Sequence, residues 1–214
     1  MNGALAPHVG KLAEGIAALG LETAPALAAR LLAFGELLLK WNRVYNLTAI
    51  RSPGEVVTHH LLDSLAVLPW LRDARTLADV GSGAGLPGIV LALARPDMTV
   101  VSVESVGKKA SFQQQAKIEL KIDNLTVVNA RVEEVDVEKC DAVISRAFSS
   151  LADFVRLAGH LARDGGALYA MKGARPDEEI AALPAGWRVA AIRDLLVPGL
   201  VAERHLLTIC RVDR

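Results

Sequence analysis

The chain has 214 residues, 52% of them apolar and 22% charged, which suits one domain of ordinary size with a full core and excludes a disordered chain. Lys plus Arg (24) and Asp plus Glu (24) cancel, so no global basic field draws the protein onto nucleic acid or acidic membranes; any such contact needs a local patch. Cys140 and Cys210 stand far apart with no CxxC and no nearby histidine, which fits neither a disulfide framework nor a zinc site, and they read as buried thiols of a reducing compartment. Residues Met1 to Gly10 lack a positive segment followed by an apolar block, and no apolar run approaches the roughly 20 residues of a bilayer span. The expectation is a soluble cytoplasmic protein without membrane partners.

Along the chain, Leu12, Ile16 and Leu19 recur at helical spacing, and Leu27, Leu31, Leu32 and Leu38 repeat the pattern after a Thr23-x-Pro25 entry that reads as a cap. Asn42, Asn46, Pro53 and Gly54 interrupt it, and a further helix from about Glu55 carries Val56, His59, His60, Leu62 and Leu65 before Pro69. From Thr76 the rhythm changes. Short apolar runs at Thr76–Val80, Thr99–Val103, Leu125–Val128, Asp141–Ser145 and Ala167–Met171 alternate with helical stretches at Pro87–Ala94, Lys108–Lys121, Leu151–Leu161 and Asp177–Ala182. That alternation predicts a parallel sheet between helices. Runs at Arg188–Val197 and Glu203–Arg211, broken by Pro198 and Gly199, predict a closing antiparallel hairpin. The reading is one α/β domain over residues 1–214: a helical extension (1–72) on a Rossmann-like core (73–214).

The first strand runs into Asp79-Val80-Gly81-Ser82-Gly83-Ala84-Gly85-Leu86-Pro87-Gly88 and then a helix, the context in which a nucleotide-type cofactor lies over the carboxyl ends of the strands. Gly83, Gly85 and Gly88 spell GxGxxG and Glu104 ends the second strand, so an NAD-dependent oxidoreductase is a rival. Three features favour S-adenosylmethionine. Asp79, Gly81 and Gly83 form an acidic-x-Gly-x-Gly pattern whose carboxylate suits the cofactor's ammonium group, directly or through water. Too little chain remains for a separate substrate domain, and the closing hairpin is foreign to the dinucleotide arrangement. Glu104 serves either cofactor, because one carboxylate accepts both ribose hydroxyls.

The chain resembles the family known as glucose-inhibited division protein B, or RsmG. The likeness is carried by Trp41-Asn42-Arg43-Val44-Tyr45-Asn46-Leu47-Thr48, His60-Leu61-Leu62-Asp63-Ser64-Leu65, the glycine loop, Lys108-Lys109, Val132-Glu133-Glu134, Ser145-Arg146-Ala147-Phe148, Lys172-Gly173 and Glu203-Arg204-His205-Leu206, in that order. The resemblance implies a class I S-adenosylmethionine-dependent methyltransferase sheet with a helical N-terminal extension, acting on guanine N7 of 16S ribosomal RNA, with that RNA or the small ribosomal subunit as partner. It also implies cofactor contacts at Gly81, Leu86, Glu104, Ser105, Val106, Val132, Glu133 and Arg146. Glu104 departs from the aspartate more often expected there, and its longer side chain still reaches a ribose.

The residues are compatible with such an acceptor. The Asn/Asp-Pro-Pro-Tyr segment of amino-group methyltransferases is replaced here by Ser145-Arg146-Ala147-Phe148, and neither cysteine is placed to activate a pyrimidine ring. Guanine N7 carries a free lone pair and needs neither proton removal nor covalent activation, so positioning supplies much of the rate. Arg146 is assigned first to the cofactor and second to orienting the substrate, Lys172 to a phosphate or to a solvated loop. Phe148, Arg204 and His205 are substrate candidates, the last two being as well explained by pairing with Glu203 and other neighbours.

His59 and Asp63, spaced i,i+4 beside His60, tempt a metal reading, but no third ligand converges in sequence, so capping or hydrogen bonding is expected and no metal. Trp41 and Tyr45 read as packing, with Asn46 ordering the turn after them. Two other readings stay open: a small-molecule methyltransferase, favoured by the neutral net charge, and a non-catalytic nucleotide-binding regulatory module.

Overall fold

The computed structural model describes residues 3–22, 24 and 26–212, so the expected Thr23/Pro25 cap lies outside the described residues. Helix α1 (Val9–Ala18) buries Leu12 and Ile16, and α2 (Leu27–Tyr45) buries Leu27, Leu31, Leu32, Phe34, Leu37 and Leu38 along one stripe. Asn46 stops α2 by adopting the left-handed conformation (φ 48°), its N–H reaching the Asn42 carbonyl. Asn42 binds the turn that follows, donating to the Ile50 carbonyl (3.1 Å) and accepting from the Thr48 N–H (2.9 Å). The Trp41 and Tyr45 rings stack at 5.1 Å, and Trp41 leans on Phe112 at 5.7 Å, which is the packing role expected of that pair.

Helix α3 spans residues 53–65 and starts with Pro53 in its first turn, where a missing N–H costs nothing. Its middle, Val56–Leu62, is π-helical between α-helical Pro53–Glu55 and Asp63–Leu65. The sequence pattern predicts the helix but not this widened turn, because almost every residue there is buried and no one-sided stripe reports the register.

The sheet comprises β1 (Thr76–Val80), β2 (Thr99–Val103), β3 (Leu125–Val128), β4 (Cys140–Ser145), β5 (Ala162–Lys172), β6 (Trp187–Asp194) and β7 (His205–Arg211) in the order β3-β2-β1-β4-β5-β7-β6. Strands β1 to β5 are parallel, whereas β7 pairs antiparallel with both β5 and β6. Helices α4 (Gly88–Ala94), α5 (Gly107–Glu119), α6 (Leu151–Ala158) and α7 (Asp177–Ala181) fill the connections.

Two details differ from expectation. Strand β5 begins at Ala162 rather than Ala167, because an irregularity lets Cys140 pair with Ala162 and Ala142 with Ala167, taken up around Gly165 (φ 75°). The β6–β7 connection is residues 195–204 rather than a tight Pro198-Gly199 turn, since Leu195 and Val197 turn inward and join the core.

Side chains alternate across the sheet, so Leu77, Val100, Ala142 and Ile144 meet helices α1 to α5 while Ala78, Val80, Val143 and Leu168 meet α6. Phe112 of α5 lies at the junction of extension and sheet, fully buried and 6.1 Å from the Phe34 ring. Among the described residues no helix is long and apolar enough to cross a membrane. Phe112→Ala should lower the unfolding free energy by about 3–5 kcal/mol. In urea denaturation the wild type should unfold in one transition by both tryptophan fluorescence and circular dichroism, since the first apolar layer runs unbroken from α1 to β4.

Candidate active site

In an open α/β sheet the ligand crevice opens at the carboxyl ends of the strands where the strand order reverses, here between β1 and β4. Two cavities flank that point. One, of about 260 Å³, has Gly81, Ser105, Val132, Glu133, Ala147 and Phe148 in its wall. The other, of about 350 Å³, is walled by residues that include His60, Asp63, Arg146, Lys172 and Arg204. Arg146 lines one and Ala147 the other, so this one step of chain divides them. Three larger cavities lie away from the carboxyl ends of the strands: two, of about 570 and 660 Å³, against α1 and α2, and one of about 410 Å³ between Leu21, Pro69 and Arg95.

The first cavity is built on the glycine loop. Gly81 has φ +67°, and a Cβ there would stand 2.8 Å from Ala147 Cβ, so only glycine lets the end of β1 pass under the β4 segment. Its N–H donates to the Val103 carbonyl at 2.9 Å, tying the loop to β2. Glu104 is buried, and its carboxylate accepts from the Gly83 N–H (2.7 Å) and the Val106 N–H (2.8 Å). A carboxylate has about four lone-pair sites, so two remain for hydroxyls after these bonds. Gln113 of α5, fully buried, holds the loop from beneath, donating to Ser82 Oγ and the Gly83 carbonyl, both at 2.8 Å, and accepting from Ser102 Oγ. Nothing in the sequence singles out Gln113, since one glutamine on a polar helix carries no local signal.

Asp79 is fully buried behind the loop rather than in either cavity wall. Its Oδ2 accepts from the Gly88 N–H at 2.7 Å, and Oδ1 has no partner among the described residues. Gly88 is required there, since a Cβ would come within 2.7 Å of Oδ2. A buried acceptor left over behind a glycine loop, with lone pairs free on Glu104 beside it, suits a ligand carrying a cation and a ribose. Leu86 is buried in the apolar layer beneath the loop, whereas Val106 is exposed at its rim. Phe148 lines this first cavity, its ring 5.1 Å from Phe154, instead of standing among the groups of the second.

The second cavity is charged. Arg146 and Arg204 both pair with the buried Asp63, at 2.8 and 2.9 Å. Lys172 Nζ reaches Glu179 Oε2 at 2.7 Å and donates to the Phe148 carbonyl at 3.0 Å. Glu179 also accepts from the Leu151 N–H at the start of α6. His60 is held uncharged: burial first and the Arg146 charge second lower its pKa from 6.5 to about 4. Its Nε2 lies 3.0 Å from Thr48 Oγ1 and its Nδ1 3.1 Å from the His59 carbonyl. His205 is outside both walls, its Nδ1 2.6 Å from the Gly173 carbonyl and its Nε2 3.2 Å from Asp194. No local signal in the sequence pairs Asp63 or Glu179 with these cations, since Asp63 stands 83 and 141 residues from its arginines. Cys140 opens β4, at the end of the strand away from both cavities, and burial raises its pKa to about 11.

Asp79 and His60 pull stability in opposite directions with pH. Burial raises Asp79 from 3.8 to about 7, the Gly88 hydrogen bond and Arg146 opposing, so the folded state holds a proton that the unfolded state has lost. Its contribution is therefore lost as pH rises from about 4 to about 7, whereas that of His60 is lost as pH falls from about 6.5 to about 4. Asp79→Asn keeps an acceptor for Gly88 and removes the titration. In urea denaturation the variant should gain on the wild type between about pH 4 and about pH 7, by at most about 1.4 kcal/mol per pH unit across the window. An unchanged difference would show that Asp79 ionises normally.

Residues 27–207 match the family model GidB, described as rRNA small subunit methyltransferase G. The chain is 69% identical over 208 residues to the ribosomal RNA small subunit methyltransferase G of Azoarcus sp. (strain BH72), covering 97% of this chain and 98% of that one. The protein of the same name from Aromatoleum aromaticum is 65% identical over 205 residues, covering 94% and 97%. Among solved structures, TrmN from Thermus thermophilus superposes with a TM-score of 0.56 at 18% identity, over 70% of this chain and 48% of that one. The putative methyltransferase yhhF from Escherichia coli gives 0.53 at 16%, over 71% and 87%. These two are likenesses of fold, and the fold is the Rossmann-like one of class I methyltransferases. With the family model covering most of its length and near-complete alignment to both relatives, the chain belongs to the GidB family of small-subunit rRNA methyltransferases.

Proposed function

We propose that this enzyme transfers the methyl group of S-adenosylmethionine to N7 of a guanine in 16S ribosomal RNA, in the cytoplasm, with residues 1–214 acting as one unit. The observation that carries the reading is the meeting of two unlike cavities at Arg146–Ala147: one walled by a glycine loop and apolar side chains, the other by Arg146, Arg204 and Lys172. S-adenosylmethionine, when bound, supplies a methyl group on a cationic sulfur. Gly81 lets the ligand approach the backbone, Glu104 offers its remaining lone pairs to ribose hydroxyls, and Ser105, Val106, Val132, Glu133 and Phe148 flank an adenine. Gly83 and Leu86 act through the loop's shape, and Asp79, behind the loop, reaches the ligand's ammonium group through a bridging water at Oδ1.

On the acceptor side, Arg146 stands at the divide and orients the base, while Arg204 and Lys172 hold phosphate or base edges. Lys172 then exchanges part of its pairing with Glu179 for the RNA. His205 supports the strand edge beside them through Gly173 and Asp194. No base is needed, since the N7 lone pair is already free, and His60 keeps both ring nitrogens occupied. The neutral net charge is compatible with an RNA acceptor because three cations converge on one cavity.

The test is transfer of a labelled methyl group from S-adenosylmethionine to small ribosomal subunits lacking this modification, followed by nucleoside analysis. Label in 7-methylguanosine is expected; label confined to small acceptors, or cofactor binding without turnover, overturns the reading. Gly81→Val, which forces a Cβ against Ala147 at positive φ, should abolish cofactor binding measured by calorimetry. Lys172→Ala should leave that binding within about twofold and raise KM for the subunit about tenfold.

A further inference from the structure

Asp63 is buried, with a side-chain exposure of 3%, and it belongs to the helical extension rather than to the sheet. Its two oxygens are divided between two guanidinium groups: Oδ2 accepts from Arg146 Nη1 at 2.8 Å and Oδ1 from Arg204 Nε at 2.9 Å. Arg146 follows β4 and Arg204 precedes β7, so three elements distant in sequence meet at one carboxylate. The π-helical turn prepares this meeting. It shares the Asp63 N–H between the His60 and Thr58 carbonyls, and the His59 carbonyl, the partner of that N–H in a regular α-helix, instead faces His60 Nδ1 at 3.1 Å and accepts from Arg146 Nη1 at 3.3 Å. Arg204 Nη1 is held by the Glu203 carbonyl at 2.8 Å. Arg146 Nε and Nη2 and Arg204 Nη2 have no partner among the described residues, and both side chains line the second cavity.

We propose that Asp63 is the positioning residue of the acceptor cavity, fixing Arg146 and Arg204 at one angle to each other so that their remaining N–H groups meet the RNA together. This rests on the reading of that cavity as the RNA acceptor site. Asp63 acts through the two arginines and does not touch the reacting atoms. Two guanidinium groups this close repel each other; a single anion between them holds both planes and leaves one net positive charge for a phosphate or a guanine edge. Preset donors need no rearrangement when the acceptor arrives, which is where a positioning residue contributes to rate.

The experiment compares Asp63→Asn, Asp63→Glu and wild type for S-adenosylmethionine binding by calorimetry, thermal midpoint, and steady-state methyl transfer with unmodified small subunits as the varied substrate. Asp63→Asn keeps the size, removes the charge and turns an amide donor toward one arginine. It should leave the cofactor Kd within about twofold and raise KM for the subunit by about tenfold or more, with Asp63→Glu intermediate. In an Arg146→Gln/Arg204→Gln background the Asp63→Asn change should add less than about twofold, because the residue acts only through those partners.

A wild-type kcat/KM in Asp63→Asn overturns the proposal. So does a parallel fall of cofactor affinity, activity and thermal midpoint without recovery in Asp63→Glu, or full additivity with the arginine changes. If Asp63→Asn does not fold, Asp63→Glu must still raise KM with the cofactor Kd unchanged, and a wild-type KM there overturns the proposal. A wild type that transfers nothing to small subunits overturns the reading and the proposal together, whereas wild-type transfer with an unaffected Asn variant overturns the proposal alone.

Discussion

Helices α1 to α3 press Leu31, Phe34, Leu38, Leu61 and Leu65 toward a sheet face carrying Leu77, Val100 and Ile144, with Phe112 between the layers. A sheet that is mostly parallel has apolar side chains on both faces, and neither tolerates water. The opposite face is closed by α6 and its neighbours, but α4 and α5 alone leave the first face partly open; the N-terminal helices close it. That closure also places residues 48–63 over the carboxyl ends of β4 and β5, so a requirement of burial decides where Thr48, His60 and Asp63 stand relative to Arg146 and Lys172.

Around this frame the carboxylates serve as staples. Glu104 joins the glycine loop to the start of α5, Asp79 fixes the start of α4, Glu179 ties Lys172 to the start of α6, and Asp63 ties the extension to two strand ends. Each meets buried N–H groups or cations that would be costly unpaired. Asp79 is the exception in part, with one oxygen unmatched and its proton retained up to about pH 7. A net charge of zero is thus compatible with a cavity where three cationic side chains converge, because the compensating acids are spent on positioning them.

Much of the architecture is legible in local pattern. The alternation of short apolar runs with helical stretches gives β1 to β4 within a residue of their ends, since strand and helix periods of 2 and 3.6 are written directly in which side chains must be buried. The glycine loop is equally legible, because Gly81 must adopt φ +67° under Ala147 and no other residue does so without strain. The ends of β5 and the long β6–β7 connection are not, since they depend on a strand irregularity and on Leu195 and Val197 finding a core that other segments create. The π-helical turn in α3 is hidden for a related reason: in a helix buried all round, the hydrophobic pattern does not report its own register.

At the site, the sequence by itself determined which residue types are present and on which strand ends: Asp79, the glycines, Glu104, Arg146 and Lys172 follow from motifs confined to a few consecutive positions. Tertiary structure alone decided their partners. Phe148 lies in the glycine-loop cavity and Arg146 in the charged one, although two-residue spacing on a strand would put both on one face, because β4 ends at Ser145 and the chain beyond it no longer follows the strand's alternation. Asp63 meets Arg146 and Arg204 only when the extension docks on the sheet, and a contact between residues 83 and 141 positions apart is set by the packing of whole layers, which no local pattern encodes.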